Sequence, residues 1–198
     1  MAKLFSNIWF RCISVLLVIA VVLGGLLAVL NDVLYVSPEE RTGRAIKKIY
    51  GEDKEYSIEL DVDGEDKAVE YDFGTVNKVY TVGDSEESNY DALLQVTGKQ
   101  GYKGGTITLW VKVKISGDEQ VIDKVILESY DKQTLMSKFD KNYYDVFLVD
   151  ITDAYKEGKA FTTATDNGEF SNPMSGATYS ATAAVNAVNC VIKYLGDK

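Results

Sequence analysis

The chain reads as an α+β protein, with one membrane-spanning helix followed by a mainly antiparallel β-sheet domain and a C-terminal helix. Three patterns predict this. Residues 12–30 are apolar and uncharged, and residues 56–127 repeatedly alternate apolar with polar side chains. Ala184, Val188, Val191, Ile192 and Leu195 then recur at helical spacing. A period of two places one face of a strand in a core, whereas a period of 3.6 does the same for a helix. Strands followed by a terminal helix, rather than alternating with helices, give α+β.

Taken in order, the first element is the apolar run CISVLLVIAVVLGGLLAVL, nineteen residues with no charge. As a helix it would be roughly 28 Å long, close to the ~30 Å hydrocarbon core of a bilayer. A cleaved signal peptide has a shorter apolar core of about 7–15 residues and a small-residue cleavage site. This run is longer and continues into Asn31-Asp32-Val33-Leu34-Tyr35, so a retained anchor is expected. Trp9 and Tyr35 flank it as interfacial aromatics do. Lys3 and Arg11 precede it, whereas Asp32, Glu39 and Glu40 follow. The positive-inside rule then keeps residues 1–11 in the cytoplasm and exports the remainder. Gly24-Gly25 is not a GxxxG pair and is read as neutral. The expected organisation is a cytoplasmic segment 1–11, an anchor 12–34, a helical stalk 35–51 and an extracytoplasmic domain 52–198.

Ser37-Pro38-Glu39-Glu40 is a helix start: Ser37 caps, Pro38 suits the first helical position, and Glu40 completes a capping box. Ala45, Ile46 and Ile49 form its apolar face and Gly51 stops it. Tyr56, Ile58, Leu60 and Val62 then alternate with polar residues. Asp63-Gly64 reads as a hairpin turn, and Val69, Tyr71 and Phe73 alternate again. Further strands are expected at 76–82, 92–96, 107–115 and 121–127, with a polar loop at 83–89 and a turn at 116–120. Residues 134–139 read as a short helix, 146–149 as either helix or strand, and 180–195 as the last helix.

Composition narrows the chemistry. At 46% hydrophobic and 26% charged, the chain should fold. Its net charge is −9, and the segment after Arg11 is more negative still, which argues against a nucleic-acid partner. Histidine is absent, which removes Ser-His-Asp and Cys-His catalysis and the commonest metal ligand. Two cysteines, Cys12 in the apolar run and Cys190 near the end, build no zinc or iron–sulfur site of the usual kinds. Any redox role must therefore come from an organic cofactor. The acidic run Asp61-Val62-Asp63-Gly64-Glu65-Asp66 lacks EF-hand spacing and reads as a hairpin tip. Gly98, Gly101, Gly104 and Gly105 fit neither GxGxxG nor a P-loop and read as a turn into a strand. The thirteen tyrosines suit sheet packing, with Tyr179 set apart by its neighbour Thr178.

The informative stretch is Ser171-Asn172-Pro173-Met174-Ser175-Gly176-Ala177-Thr178-Tyr179-Ser180, directly before the last helix. Unpaired N–H groups and the positive end of the helix dipole favour a phosphate there. Gly176 and Ala177 permit close approach, while Ser175, Thr178 and Ser180 offer hydroxyls. The alternative on these residues alone is an ordinary Ser/Thr helix cap.

Ser175-Gly176-Ala177-Thr178, followed by Tyr179-Ser180 and an Ala/Val helix, resembles the flavinylation motif of the FMN-binding domain family. That family includes the G subunit of the Rnf ion-translocating ferredoxin:NAD oxidoreductase and the C subunit of the sodium-pumping NADH:quinone oxidoreductase. Gly101-Tyr102-Lys103-Gly104 leading into a strand resembles a second stretch of the family, and the order of anchor, sheet and motif also agrees. The resemblance implies FMN joined through a phosphoester to Thr178, installed from FAD by a flavin transferase. Ser175, Gly176, Ala177, Tyr179, Ser180 and Glu128 would be the other cofactor-binding residues. It also implies an electron-carrier subunit, not a catalyst on its own, working beside integral-membrane redox subunits. A stand-alone anchored flavoprotein and an unflavinylated binding or assembly module are the alternatives. The chain departs from the family's pattern at Asn172, where the motif carries Asp. It departs again after Glu128, where Ser129-Tyr130-Asp131-Lys132-Gln133 replaces a Pro-Gly turn.

Overall fold

The computed structural model describes residues 8–34, 36–64, 66–83, 89–165 and 168–198. Lys3, Tyr35, Glu65 and residues 84–88 of the polar loop lie outside the described residues. The chain divides into two compact units, Met1–Arg41 and Thr42–Lys198.

The first unit holds helix α1, Ile8–Leu34. Its stretch Trp9–Asn31 has a mean hydropathy of 3.0 and is long and apolar enough to span a bilayer, consistent with a single-pass anchor. Its leucines and valines from Val15 to Leu30 are exposed. Helix α2, Pro38–Tyr50, begins in this unit, and the Glu40 N–H donates to Ser37 Oγ at 3.2 Å, which is the expected cap.

The second unit takes in α2 from Thr42 onward. The helix ends where Gly51, at φ +82°, donates its N–H to the Lys47 carbonyl at 2.8 Å. Six strands follow: β1 Tyr56–Asp61, β2 Val69–Tyr71, β3 Gly74–Val82, β4 Asn89–Gly98, β5 Ile107–Ser116 and β6 Glu119–Tyr130. The short helix α3, Lys141–Asp145, and the long helix α4, Thr178–Gly196, complete the unit. All the strand pairs are antiparallel, in the order β1-β3-β4-β5-β6, with β2 also on β3.

Two corrections follow from this pairing. The 56–73 stretch is not a hairpin. Residues 62–64 form a 3-10 turn, and β1 and β2 pair successively along one edge of β3. The acidic run is drawn inward by Lys78, whose Nζ lies 3.0 Å from Asp61 Oδ1 and 2.7 Å from Asp63 Oδ2. Residues 134–139 contain only a 3-10 turn, Met136–Lys138, and the helix lies further on as α3. There Asp140 caps by accepting the Tyr143 N–H at 3.1 Å.

Alternation decides which side chain faces which helix. Val76, Leu94, Val96, Leu109 and Val111 pack with Ala181, Ala184, Val188 and Val191 of α4. On the opposite face Tyr80, Val82, Leu93 and Trp110 pack with Ala45, Ile46 and Ile49 of α2. The sheet is therefore buried on both sides at its centre, which explains the unbroken apolar run Ala92-Leu93-Leu94. Helix α4 crosses closely at Gly98, where a Cβ would lie 1.8 Å from the Ala183 carbonyl oxygen.

Candidate functional site

The 171–177 loop is fastened before it enters α4. Asn172 is buried; its N–H donates to the Thr162 carbonyl at 2.8 Å and its Nδ2 to the Tyr143 carbonyl at 3.2 Å. Tyr143 is itself buried, with its ring edge against Phe139 at 4.5 Å. Burial, reinforced by neighbouring Tyr144, holds the Tyr143 phenol protonated well above its ordinary range. The Ala177 N–H then closes a turn on the Met174 carbonyl at 3.2 Å. Gly176 sits in that turn at φ +74°, a conformation glycine adopts without steric cost.

Helix α4 starts at Thr178 with Ala177 as N-cap, and no side chain caps it. A capping side chain comes from the residue before the first helical one, so the Ser/Thr cap considered above is not formed. Thr178 is exposed, and its hydroxyl is bonded to no other described residue. Its carbonyl accepts Thr182 Oγ1 at 3.0 Å. The first N–H groups of α4 consequently lack a side-chain acceptor.

Ser175 and Gly176 are exposed beside Lys138. Lys138 Nζ donates to the Ser175 carbonyl at 3.1 Å and lies 3.1 Å from where a Gly176 Cβ would stand. Tyr179 is 67% exposed. Ser180 differs from these residues in being buried, and its Oγ donates to Gln133 Oε1 at 2.6 Å. The structure thus brings Ser175, Gly176, Ala177, Thr178, Tyr179 and Ser180 into one turn and the start of one helix. Glu128 stands apart, exposed at the β6 bulge opposite Thr108 and Leu109.

The residue at this candidate site that the sequence does not single out is Gln133. It is buried, accepts from Ser180 and from the Tyr102 N–H at 3.1 Å, and donates Nε2 to the Asp131 carbonyl at 2.8 Å. It thereby ties the 101–105 glycine loop, the exit of β6 and the first turn of α4 together. Its only sequence signal is indirect, in Gly101 and Gly105, whose missing Cβ atoms leave room for its amide.

The thiol of α4 is inaccessible. Cys190 is fully buried, and burial pushes its thiol up to about 12. A cleft of about 560 Å³ lies at the far end of α4, lined among others by Ile192, Leu195, Gly117 and Thr152, and includes none of the motif residues. No protein-family model matches the chain, and neither a curated protein nor a solved structure is significantly similar to it.

Proposed function

We propose that this chain is a membrane-anchored electron-transfer flavoprotein that carries one FMN as a phosphoester on Thr178. In this reading it is a subunit of an Rnf-type ion-translocating electron-transport complex. The observation that carries the reading is the Thr178 hydroxyl: exposed, bonded to no other described residue, and set on the first residue of a helix that no side chain caps. Phosphate is the group such a helix start favours. Lys138 adds a positive charge beside the preceding turn, and Gly176 keeps that turn narrow.

The residues present fit this group and this linkage. Among the local hydroxyls, Ser180 is committed to Gln133, whereas that of Thr178 is bonded to no other described residue and holds the acceptor position of the resembled motif. The usual flavin linkages to His or Cys are closed, because the chain has no histidine, Cys190 is buried and Cys12 lies in the apolar helix. Attachment would form the Thr178 Oγ–P bond as the P–O–P bond of FAD breaks. AMP departs, the hydroxyl proton passes to a base of the flavin transferase, and nothing is oxidised. Once bound, the isoalloxazine supplies the electron chemistry. The chain supplies tether, orientation and local charge. Tyr179 offers an exposed ring next to the attachment point, and Thr178 takes no part in turnover.

Lys3 and Arg11 would stay in the cytoplasm and the sheet domain would face outward, beside the membrane redox subunits that exchange electrons with it. Protease added to intact protoplasts should digest the domain, and full protection would reverse this orientation. The decisive experiment is the intact mass of protein purified from its source membranes. It should exceed the chain mass by one FMN less one water, with fragmentation placing the increment on Thr178. Unmodified Thr178 in that material would overturn the reading.

A further inference from the structure

We infer that Gln133 is the positioning residue of this site, locking the first turn of α4 to the 101–105 loop so that both form one binding surface for a flavin nucleotide. This rests on the reading of Thr178 as the attachment point.

The amide of Gln133 is spent on three partners. Its Oε1 accepts from Ser180 Oγ at 2.6 Å and from the Tyr102 N–H at 3.1 Å, and its Nε2 donates to the Asp131 carbonyl at 2.8 Å. Ser180 and Tyr102 lie 47 and 31 residues away in sequence, so one side chain joins the first turn of α4 to the end of the β5–β6 pair. The glycines around it leave room both for this amide and for a close approach of the backbone. Gly101 and Gly105 have φ of −72° and −77°, which any residue adopts, so backbone freedom does not call for glycine there. A Cβ at Gly101 would instead fall 2.5 Å from Gln133 Nε2 and 2.6 Å from the Gly105 carbonyl oxygen, and one at Gly105 would fall 2.2 Å from the Asp131 carbonyl oxygen and 2.6 Å from Gln133 Nε2. The turn of the loop is made elsewhere, by Lys103 at φ 52° and Gly104 at φ 70°.

Docking of α4 on the sheet does not depend on Gln133. Ala183 and Ala187 lie against Gly98, and Val188 and Val191 are in the main core. The link fixes something finer, the placement of the first helical turn relative to the loop. Exposed Lys103 and Gly104 follow Tyr102 on the loop, and exposed Thr178 and Tyr179 precede Ser180 on the helix.

The test uses the full chain, produced with a flavin transferase that modifies the wild type, and compares Gln133→Met, Ser180→Ala and the double variant. Losing a buried hydrogen bond on this scale corresponds to about a tenfold change. The initial rate of Thr178 modification should fall by about that factor in each single variant, with little change in the KM for the chain. The double variant should be no worse than Gln133→Met alone, because that substitution already removes the bond to Ser180. The visible circular dichroism of the attached flavin should also change in both, and should not change in Lys156→Gln at the far end of α4. Ser180→Ala retains Gln133 in its glycine cradle, so it answers the question even if Gln133→Met folds poorly. Wild-type rates with unchanged flavin dichroism would overturn the inference, as would additive effects in the double variant. An unmodified wild type from the source organism would instead remove the attachment reading itself.

Discussion

Tyr80 donates its hydroxyl proton to Asp61 Oδ2 across 2.5 Å, and the same phenol oxygen lies 3.0 Å from Thr42 Oγ1 at the α2 end. Lys78 completes the cluster from β3, with Asp63 N–H donating to Asp61 Oδ1 at 2.9 Å. Burial alone would raise the Asp61 carboxyl. The hydrogen bonds from Tyr80 and Lys78 outweigh it and hold the group below its ordinary range. A depressed folded value stabilises the fold fully above the unfolded carboxylate value of about 3.9, and that contribution disappears as pH falls through the folded one. A chain beginning at Ser37 keeps Trp110 as its sole tryptophan. Its fluorescence should therefore report a steep loss of stability below pH about 4. Asp61→Asn should be less stable at pH 7 and show a shallower acid limb; an unchanged limb would remove Asp61 from the account.

The same contacts set how far the chain can be shortened. Ala45, Ile46 and Ile49 cover Leu93 and Trp110, and Lys124 Nζ donates to the Ile49 carbonyl at 2.6 Å. A chain starting at Ser37 should be monomeric and show a single urea transition. One starting at Asp53 uncovers that face and should aggregate or unfold at far lower urea. Equal midpoints for the two would show that α2 does not contribute to the domain.

Gly98→Ala should cost about 3 kcal/mol or more, because overpacking here pushes backbone against backbone. The added Cβ meets the Ala183 carbonyl at 1.8 Å and the Ala187 nitrogen at 2.5 Å, and neither can rotate away. Gly43→Ala in α2 meets nothing within 4 Å and should be neutral or slightly stabilising. Urea midpoints of the two variants decide between close helix–sheet approach and a mere preference for glycine.

Period and composition carried the fold well where one rule governed. The α1 span, the Ser37 cap, the β5–β6 hairpin and the α4 stripe all follow from local pattern. Failure came where a distant partner decided the outcome. Asp63-Gly64 is a strong hairpin signal, yet Lys78 on β3 captures both neighbouring carboxylates and β1 pairs with β3. Residues 134–139 are helical in pattern, but Gln133 is held by Ser180 and Tyr102, and the helix forms only after Asp140 can cap it. At the candidate site, the small-residue turn before a helix was legible. The role of Gln133 was not, because its partners are remote and its residue type is unremarkable.

Asn172 marks the sharpest local departure from the resembled motif. Its Nδ2 donates to the Tyr143 carbonyl at 3.2 Å within a buried site. An ionised aspartate there has no proton to give and would face a carbonyl. Asn172→Asp should therefore destabilise by about 2–4 kcal/mol near pH 7. A buried carboxyl has a raised pKa, so its neutral form gains stability relative to the ionised one as pH falls. Melting temperature should therefore recover toward that of the wild type at mildly acidic pH. A pH-independent deficit would point to packing and away from the lost donor.

Thr178→Ala separates an attachment point from a structural residue. Were the hydroxyl a helix cap, its loss would cost about 0.5–2 kcal/mol. Here the N-cap is Ala177 and the Thr178 hydroxyl has no described partner. Alanine also has the better helix propensity. In chain free of flavin the substitution should thus lie within about 0.5 kcal/mol of wild type, read from urea midpoints at matched slopes. The same variant, made beside a flavin transferase that modifies the wild type, should carry no covalent flavin, with no fluorescence in the denatured band and no mass increment. Ser57→Ala on β1 is the control, since its exposed hydroxyl lies outside the motif and should leave the increment in place. Retained flavin in Thr178→Ala would move the attachment elsewhere. A loss of more than about 1 kcal/mol without flavin would make the hydroxyl structural.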